Sequence, residues 1–511
     1  MRISWRLGSG YVESVDDYIG VLVPLDEAHL VSKATQAKDA SQGEKLEGEL
    51  DDLESKEERQ GMLGGDPAEY TIEGLRKEMR EGRQGQWTTY EIKSKLMNKA
   101  IGDIGMGSYN WQLFVLCGCG WFADNLWMQG VSLTLPSLSA EFGVDEKTVR
   151  YTTSALFVGL SIGSFFWGIG SDFLGRRIAF NTTLLITSVF GIMAAYAQSW
   201  GGVCFFFAAL GFGVDASSAL LTLLSVWWPI GQLASSLVAW YFIANWPVEQ
   251  GWRYFIVTIG IITFAMFIVR FFIFHLFESP KFLLNKGRQN EAVAVIHGLA
   301  YRNGTKTWLT SELLDQVACA DDEEVIPQVA RQRRPTQSTT NVLREKLRSF
   351  SGERLRPLFQ NKTLGVATGL IWFCWATIGM GYPLFNAFLP QYFARAHTDE
   401  SSGTFQSETD TISAETYRNY AIASIMGVPG SLLAAYLVDH PSPFLGRRGT
   451  LASSTLLSAI FLFLFVFYGT TSTAQLLMSC VEAFAQNIMY GVLYAFTPEI
   501  FPALFEALVP A

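Results

Sequence analysis

Residues 168–177 read Gly168-Ile-Gly-Ser-Asp172-Phe-Leu-Gly175-Arg176-Arg177, and residues 439–448 read Asp439-His-Pro-Ser-Pro-Phe-Leu-Gly446-Arg447-Arg448. Both place a carboxylate, then a glycine that permits a tight turn, then two guanidiniums able to pair with acids on neighbouring helices. Each lies between two long apolar runs, so the copies occupy matching places in two parallel halves. A single copy reads equally well as a basic anchor at a membrane surface; two copies at matching places make that plain reading the weaker one.

Working outward, apolar runs occupy roughly residues 112–136, 150–170, 178–198, 201–246, 254–277, 364–393, 418–438, 449–468 and 474–497. A helix needs about 20 apolar residues to cross a bilayer, so each run is long enough for one span. The 201–246 run holds two only if Asp215, Ala216, Ser217 and Ser218 form a tight turn, and Gly201–Val214 is short for a span. Two helices there put Arg176 and Arg177, the basic 281–362 segment, and Arg447 and Arg448 all on one side, as the positive-inside rule requires. The expectation is therefore about ten spans.

Composition agrees. Of 511 residues, 49% are hydrophobic and only 17% charged, with 38 Phe and 15 Trp, against about 25% charged in soluble proteins. The 38 Lys and Arg against 47 Asp and Glu give a net charge of −9, which excludes a generally basic nucleic-acid binder. The polar residues are concentrated: 1–110 carry 14 basic and 21 acidic residues, and 281–362 carry 14 and 9. The first stretch lacks a lasting apolar period and is expected to be a largely disordered cytoplasmic tail. The domain expectation is thus a tail at 1–110, a helical bundle at 111–280, a cytoplasmic loop at 281–362 and an incomplete bundle at 363–511. No signal peptide opens the chain, so the N-terminus is expected in the cytoplasm. There Asn303-Gly-Thr, an acceptor for glycosylation by pattern, stays unused. Cys117, Cys119, Cys204, Cys374 and Cys480 lie in apolar runs and Cys319 in a polar one, a scatter that reads as buried thiols rather than a disulfide framework.

The first quoted stretch matches in full the signature G-x-x-x-D-x-x-G-R-[RK] between spans two and three of the major facilitator superfamily, and the chain resembles that family. Glu278-Ser-Pro280-Lys281-Phe-Leu is similar to the P-E-S-P-R-[FY]-L element of its sugar porters. Thr497-Pro498-Glu499-Ile-Phe501-Pro502 is similar to the acidic element that ends span ten in sugar porters and in synaptic-vesicle-glycoprotein-like and organic-ion transporters. The resemblance covers about residues 110 to 502. It implies an all-α polytopic fold of two six-helix bundles around a central cavity, working by alternating access. It also implies a cytoplasmic gate made by Gly168, Asp172, Gly175, Arg176 and Arg177, with Asp439, Gly446, Arg447, Arg448 and Glu499 in the second half. Two departures stand out: span four runs from Gly211-Phe-Gly-Val214 straight into Asp215, and only Ala503–Ala511 follow Pro502. The expectation is a chain with about ten of the family's twelve spans, truncated in span four and lacking spans eleven and twelve.

Polar groups inside spans carry the candidate chemistry, because a charge there costs at least about 2.5 kcal/mol. Asp124 lies midway along the first span, with Asn125 and Gln129 as i, i+4 neighbours beside it. A carboxylate there suits proton or cation coupling; the plainer alternative is a structural hydrogen bond between helices. Glu482 opens an i, i+4 stripe with Gln486, Tyr490 and Tyr494, suited to sugar hydroxyls or an organic ion, or equally to helix packing. Gly379, Gly381 and Pro383 are expected to break span seven around Tyr382 and Asn386 and expose backbone to substrate. Gln232, after Gly231, is similar to the glutamine-bearing site of sugar porters. Arg270 and His275 read as interfacial anchors.

No phosphate-binding glycine loop, Cys/His metal spacing or Ser-His-Asp context is present, so neither an enzyme nor a cofactor is expected. The sequence thus points to a secondary transporter of a small polar solute, a sugar or an organic acid or ion, coupled to protons through Asp124. Its expected partners are the lipid bilayer, the solute and protons, with no nucleic acid. The competing readings are a non-transporting receptor or scaffold of the same fold and an inactive truncated fragment.

Overall fold

The computed structural model describes residues 14–29, 70–80, 89–174, 176–213, 225–273, 277–318, 359, 362–401, 414–438 and 446–500. In chain order the described helices of more than four residues are α1 (Ile72–Arg80), α2 (Thr89–Ile104), α3 (Ser108–Phe142), α4 (Tyr151–Leu174), α5 (Arg176–Ala194), α6 (Trp200–Gly213), α7 (Trp227–Ile243) and α8 (Val248–Ile268). After a π-helical turn at Val269–Ile273 come α9 (Pro280–Asn285), α10 (Gln289–Asn303), α11 (Ser311–Ala318), α12 (Lys362–Ser401), α13 (Ala414–Val438), α14 (Arg447–Tyr468) and α15 (Ser472–Ile500). Among the described residues the only β pairing is an isolated parallel bridge between Leu22 and Thr307. The fold class is all-α and polytopic, as the apolar runs require.

The chain divides into two units. The first takes residues 1–115, 172–177 and 275–337, and the second takes 116–171, 178–274 and 338–511.

The first unit is built from the polar stretches. On α1 and α2, Leu75, Met79, Ile92, Leu96, Met97, Ala100 and Ile104 recur at three- and four-residue intervals and bury one stripe. That stripe packs with Leu283, Val293, Ile296, Trp308, Leu309 and Leu314 from the segment 281–318. The tail expectation is corrected for these stretches: residues 14–29, 70–80 and 89–104 are ordered against the central loop. The pattern is hard to see in sequence because neither partner buries enough apolar surface by itself. Val23 N–H donates to the Thr307 carbonyl and Thr307 N–H to that of Val21, each at 3.0 Å. At the start of α3 the Asn303 side-chain carbonyl accepts from the Tyr109 N–H at 3.0 Å, a cap supplied from another helix. Gly107 makes room for it, since a Cβ there would lie 2.3 Å from Asn303 Cγ. The Asn303 amide donates to Asn110 Oδ1 at 3.4 Å, so the acceptor-pattern asparagine is engaged in packing.

The second unit holds the apolar helices. Five of those described are long and apolar enough to cross a membrane: Val248–Phe272, Leu364–Phe393, Ala414–Val438, Arg447–Tyr468 and Ser472–Thr497. The 201–246 run contains two helices, α6 and α7, as the parity of the basic loops requires; the expected turn at Asp215–Ser218 lies outside the described residues. Close helix contact rests on small residues, as in lipid generally. A Cβ on Gly163 of α4 would lie 2.4 Å from the Phe212 carbonyl oxygen of α6, and one on Gly430 of α13 would lie 2.5 Å from that of Phe484 in α15. Gly163 and Gly430 have the same separation in sequence as Asp172 and Asp439, so the repeat extends from the loop motif into the packing.

Three expectations are corrected here. Span seven is not broken: α12 runs unbroken through Gly379, Gly381 and Pro383. In lipid the backbone has no water to turn to, so a helix keeps its remaining bonds around a proline. Arg270 is not an interfacial anchor but is 3% exposed, its guanidinium 2.8 Å from the ring centre of Phe180; His275 lies outside the described residues. The thiols of Cys117, Cys119, Cys204, Cys374 and Cys480 are free but only partly buried.

Candidate substrate path

α3 carries Trp121, Asp124, Asn125 and Gln129 within just over two turns, so they share one broad face. Gly231 lets α7 lie directly on that helix, since a Cβ there would meet the Phe122 carbonyl at 2.4 Å. From this contact a chain of hydrogen bonds crosses the second unit. The Asn125 amide donates to the Trp228 carbonyl, and the Gln129 amide donates to Asn125 Oδ1 at 3.2 Å. The Tyr420 hydroxyl of α13 donates to Gln129 Oε1. The Gln232 amide of α7 reaches the Tyr420 oxygen at 3.2 Å and Asn386 Oδ1 of α12 at 3.5 Å. The Asn386 amide in turn donates to Gln486 Oε1 of α15 at 3.4 Å. All six side chains are buried.

This arrangement links helices of both halves through uncharged groups that can each donate and accept. Five of the six were visible in the sequence as polar residues within apolar runs: Asn125, Gln129, Gln232, Asn386 and Gln486. Tyr420 was missed. A tyrosine in an apolar run gives no contrast, and only its place opposite Gln129 reveals its role.

Asp124 is partly buried on α3 and lies within electrostatic reach of Tyr494. Around that tyrosine stands an aromatic cluster. Trp121 packs edge to face on Tyr494 at 4.9 Å and on Trp228 at 5.9 Å, and Trp375 does so on Tyr494 at 4.8 Å. Tyr490 joins at 6.2 Å from Tyr494. A narrow cavity is lined by Trp121, Ser225, Trp228, Asn487, Tyr490 and Tyr494. The predicted stripe on α15 thus divides: Gln486 faces α12, Tyr490 and Tyr494 enter the cluster, and Glu482, 2% exposed, accepts from Ser458 of α14 at 3.5 Å. Asp124 and Glu482 are therefore not one site.

At the end of the bundle that carries residues 143–150, the two halves touch again. Arg150 Nε donates to Gln391 Oε1 at 3.0 Å, and the Tyr417 hydroxyl donates to the Leu133 carbonyl at 3.4 Å. Within the first half, Arg253 pairs with Glu141 at 2.5 Å.

The profile of the Major Facilitator Superfamily matches residues 113–505. The chain belongs to that superfamily. Among curated relatives it is 40% identical to the MFS siderochrome iron transporter 1 of Ceriporiopsis subvermispora, over 81% of this chain and 80% of that one. It is 25% identical to the synaptic vesicle 2-related protein of Pongo abelii, over 81% and 71%. Its fold is similar to that of the proton:xylose symporter XylE, with a TM-score of 0.52 at 18% identity over 78% of this chain and 85% of that one. Family and fold make this facilitator a transporter-type, multi-pass integral membrane protein with the bilayer around it.

The facilitator's signature residues are described only in part. Arg176 and Arg177 open α5, and Arg447 and Arg448 open α14 behind Gly446. Two cations at a helix N-terminus oppose the helix dipole, so each pair needs acids nearby to offset it. The side chains of Asp172, Arg176, Arg177, Tyr382 and Glu499 lie outside the described residues, as do Gly175 and Asp439 altogether. Gly168 lies in α4 with open space where a Cβ would sit. Among the described residues there is no group of three His, Cys, Asp or Glu side chains arranged to hold a metal ion.

Proposed function

We propose that this chain is a secondary active transporter of a small polar solute, a sugar or an organic acid or ion. The solute passes between the halves at the amide network, and protons couple to it through Asp124, with Glu482 as a second, separate carboxylate. One observation carries the reading: Gln129, Tyr420, Gln232 and Asn386 bond to one another across the two halves at mid-bundle. Such groups can exchange their mutual bonds for bonds to a polar solute, which gives the solute a differential grip on closed and open arrangements.

In this reading residues 1–110 and 281–362 face the cytoplasm, flanked by bundles at 111–280 and 363–511. The contacts of Arg150 and Tyr417 then close the outer end. Gly168, Asp172, Gly175, Arg176 and Arg177, with Asp439, Gly446, Arg447, Arg448 and Glu499, form the gate at the inner end. Tyr382 and Tyr490 border the path.

The test is uptake by proteoliposomes, using radiolabelled hexose, benzoate and choline as probes under an imposed proton gradient. Saturable uptake of one probe is expected to rise with the gradient. Gln129→Leu, which strands Tyr420 and Asn125, should cut it at least about tenfold with protein yield kept. Asp124→Asn should remove the gradient dependence while exchange of solute persists. Accumulation in Asp124→Asn that still rises with the gradient sinks the coupling, and full uptake by Gln129→Leu sinks the path.

A further inference from the structure

Residues 14–29 lie across the first unit with little to hold them. Of these residues only Val21, Val23 and Ala28 are buried, while Asp16, Asp17, Asp26 and Glu27 are exposed. The backbone is fastened at the bridge between Leu22 and Thr307, where Val23 donates to Thr307 and Thr307 to Val21. Apolar burial this small barely offsets the entropy of ordering the segment, which places it at the low-stability end of the unit, where local opening precedes global unfolding.

Just ahead of the bridge the chain turns at Gly20, whose φ of 85° suits a glycine. Tyr18 enters a notch in α10 there. A Cβ on Gly298 would lie 2.7 Å from Phe277 Cζ and 2.9 Å from Tyr18 Cζ, so both rings rest where that helix carries no side chain. Tyr18 packs edge to face on Phe277 with ring centres 6.5 Å apart, and on Tyr301 at 5.8 Å.

Phe277 is a joint between two parts of the chain. It follows the π-helical turn after α8, and its N–H donates to the hydroxyl of Tyr109, the second residue of α3, at 3.3 Å. Their rings lie 5.4 Å apart, and the Arg302 guanidinium stands 5.1 Å from one and 5.4 Å from the other. The chain leaving α8 is thereby tied to the beginning of α3. A donor–acceptor distance of 3.3 Å is beyond the usual range for N–H···O, so the bond relies on the packed rings for its geometry. Tyr18 supplies one wall of that packing. Because the docked segment contacts the tied arrangement, its docking favours the tied over the untied state by linkage.

We infer that residues 14–29 are a detachable strap whose docking at Gly298 fastens the chain leaving α8 to the start of α3, and whose release frees that joint. The inference stands apart from the transporter reading, because strap and joint are present whether or not a solute crosses.

Hydrogen exchange of the full chain in nanodiscs reads strap, joint and core separately. In the parent, residues 14–29 should exchange faster than residues 289–318. Val23→Pro removes the N–H that Thr307 accepts and touches neither ring. It should raise exchange over residues 14–29 and, at a distance, over residues 277–285 at least about tenfold, with α2 unchanged. Tyr18→Ala should free residues 277–285 in the same way, and Tyr18→Phe, which keeps the ring, should not. The inference falls if Val23→Pro leaves residues 14–29 as protected as before, or if it frees them while residues 277–285 keep their protection. It falls equally if α2 loses protection to the same extent, since the segment is then ordinary packing for the whole unit.

Discussion

The two units of this chain are built inside out relative to each other. In the first, Leu75, Leu96, Ile296 and Leu314 are buried while Lys93 pairs with Asp315 and Lys99 with Glu78 at the surface. In the second, Phe165, Phe463 and Phe467 are more than half exposed while Asn125, Gln129 and Gln232 are buried. One set of physical rules produces both. Water leaves apolar groups to find each other, whereas lipid is as apolar as leucine and leaves the polar groups to do so. Polar side chains therefore hold the first unit's surface but the second unit's centre.

The contrast breaks most completely at Gly231. Replacing it by Leu puts a side chain where the Phe122 carbonyl oxygen stands 2.4 Å from any Cβ, and backbone cannot give way as a flexible side chain does. We expect Gly231→Leu to abolish the monodisperse peak in size-exclusion chromatography, a cost of about 3 kcal/mol or more; a normal profile refutes the close α3–α7 contact.

A smaller effect sharpens the comparison from the first unit's side. His297 is buried there, with Nε2 bonded to the Leu309 carbonyl at 2.7 Å, so the neutral ring carries its proton on Nε2. Burial pushes its pKa below the ordinary 6.5, the bond to Leu309 opposing this only partly. The unfolded chain then takes up a proton that the folded unit resists. Stability is full above about 6.5 and declines as pH falls below it. Asp103, whose pKa burial raises against the bonds from Trp308 at 2.8 Å and Tyr70 at 3.0 Å, acts with the opposite sign in the carboxylate range. Hydrogen-exchange protection over residues 289–318 of the full chain, taken relative to the intrinsic exchange rate at each pH, should therefore fall between about pH 7 and 5.5, the window around the ordinary histidine value. His297→Gln should flatten that dependence; an unchanged slope assigns it elsewhere.

The smallest effect belongs to the ion pairs. Lys93→Ala loses its contacts with Asp315, 56% exposed, and with Gln289. It should cost at most about 1 kcal/mol, read as a slight rise in exchange over α2 and α11, and less at high salt. A larger loss would mean that this surface behaves like a buried network.

The second unit's helices and much of its candidate path were legible because lipid makes exceptions conspicuous. A glutamine among phenylalanines, such as Gln129 or Gln232, stands out in the bare string of residues. Tyr420 and Trp375 did not stand out, since aromatic residues belong equally to packing and to a site. The first unit was hidden for another reason. Ile92, Leu96 and Ile296 make one core only when stretches far apart in the chain meet, and neither stretch has an apolar face broad enough to announce a partner. The expected break in α12 failed because proline was given its meaning in water, where a freed carbonyl finds a solvent partner.

The cap on α3 reaches into the history of each molecule. Tyr109 waits for an acceptor that lies 194 residues further along the chain. At a synthesis rate of about 5 to 20 residues per second, the leading end of the first span stays unfinished for on the order of ten to forty seconds. During that interval the ribosome has delivered every apolar helix of the first half and only then the asparagine that closes it. The last-made piece of that half thus completes the first, through a single carboxamide.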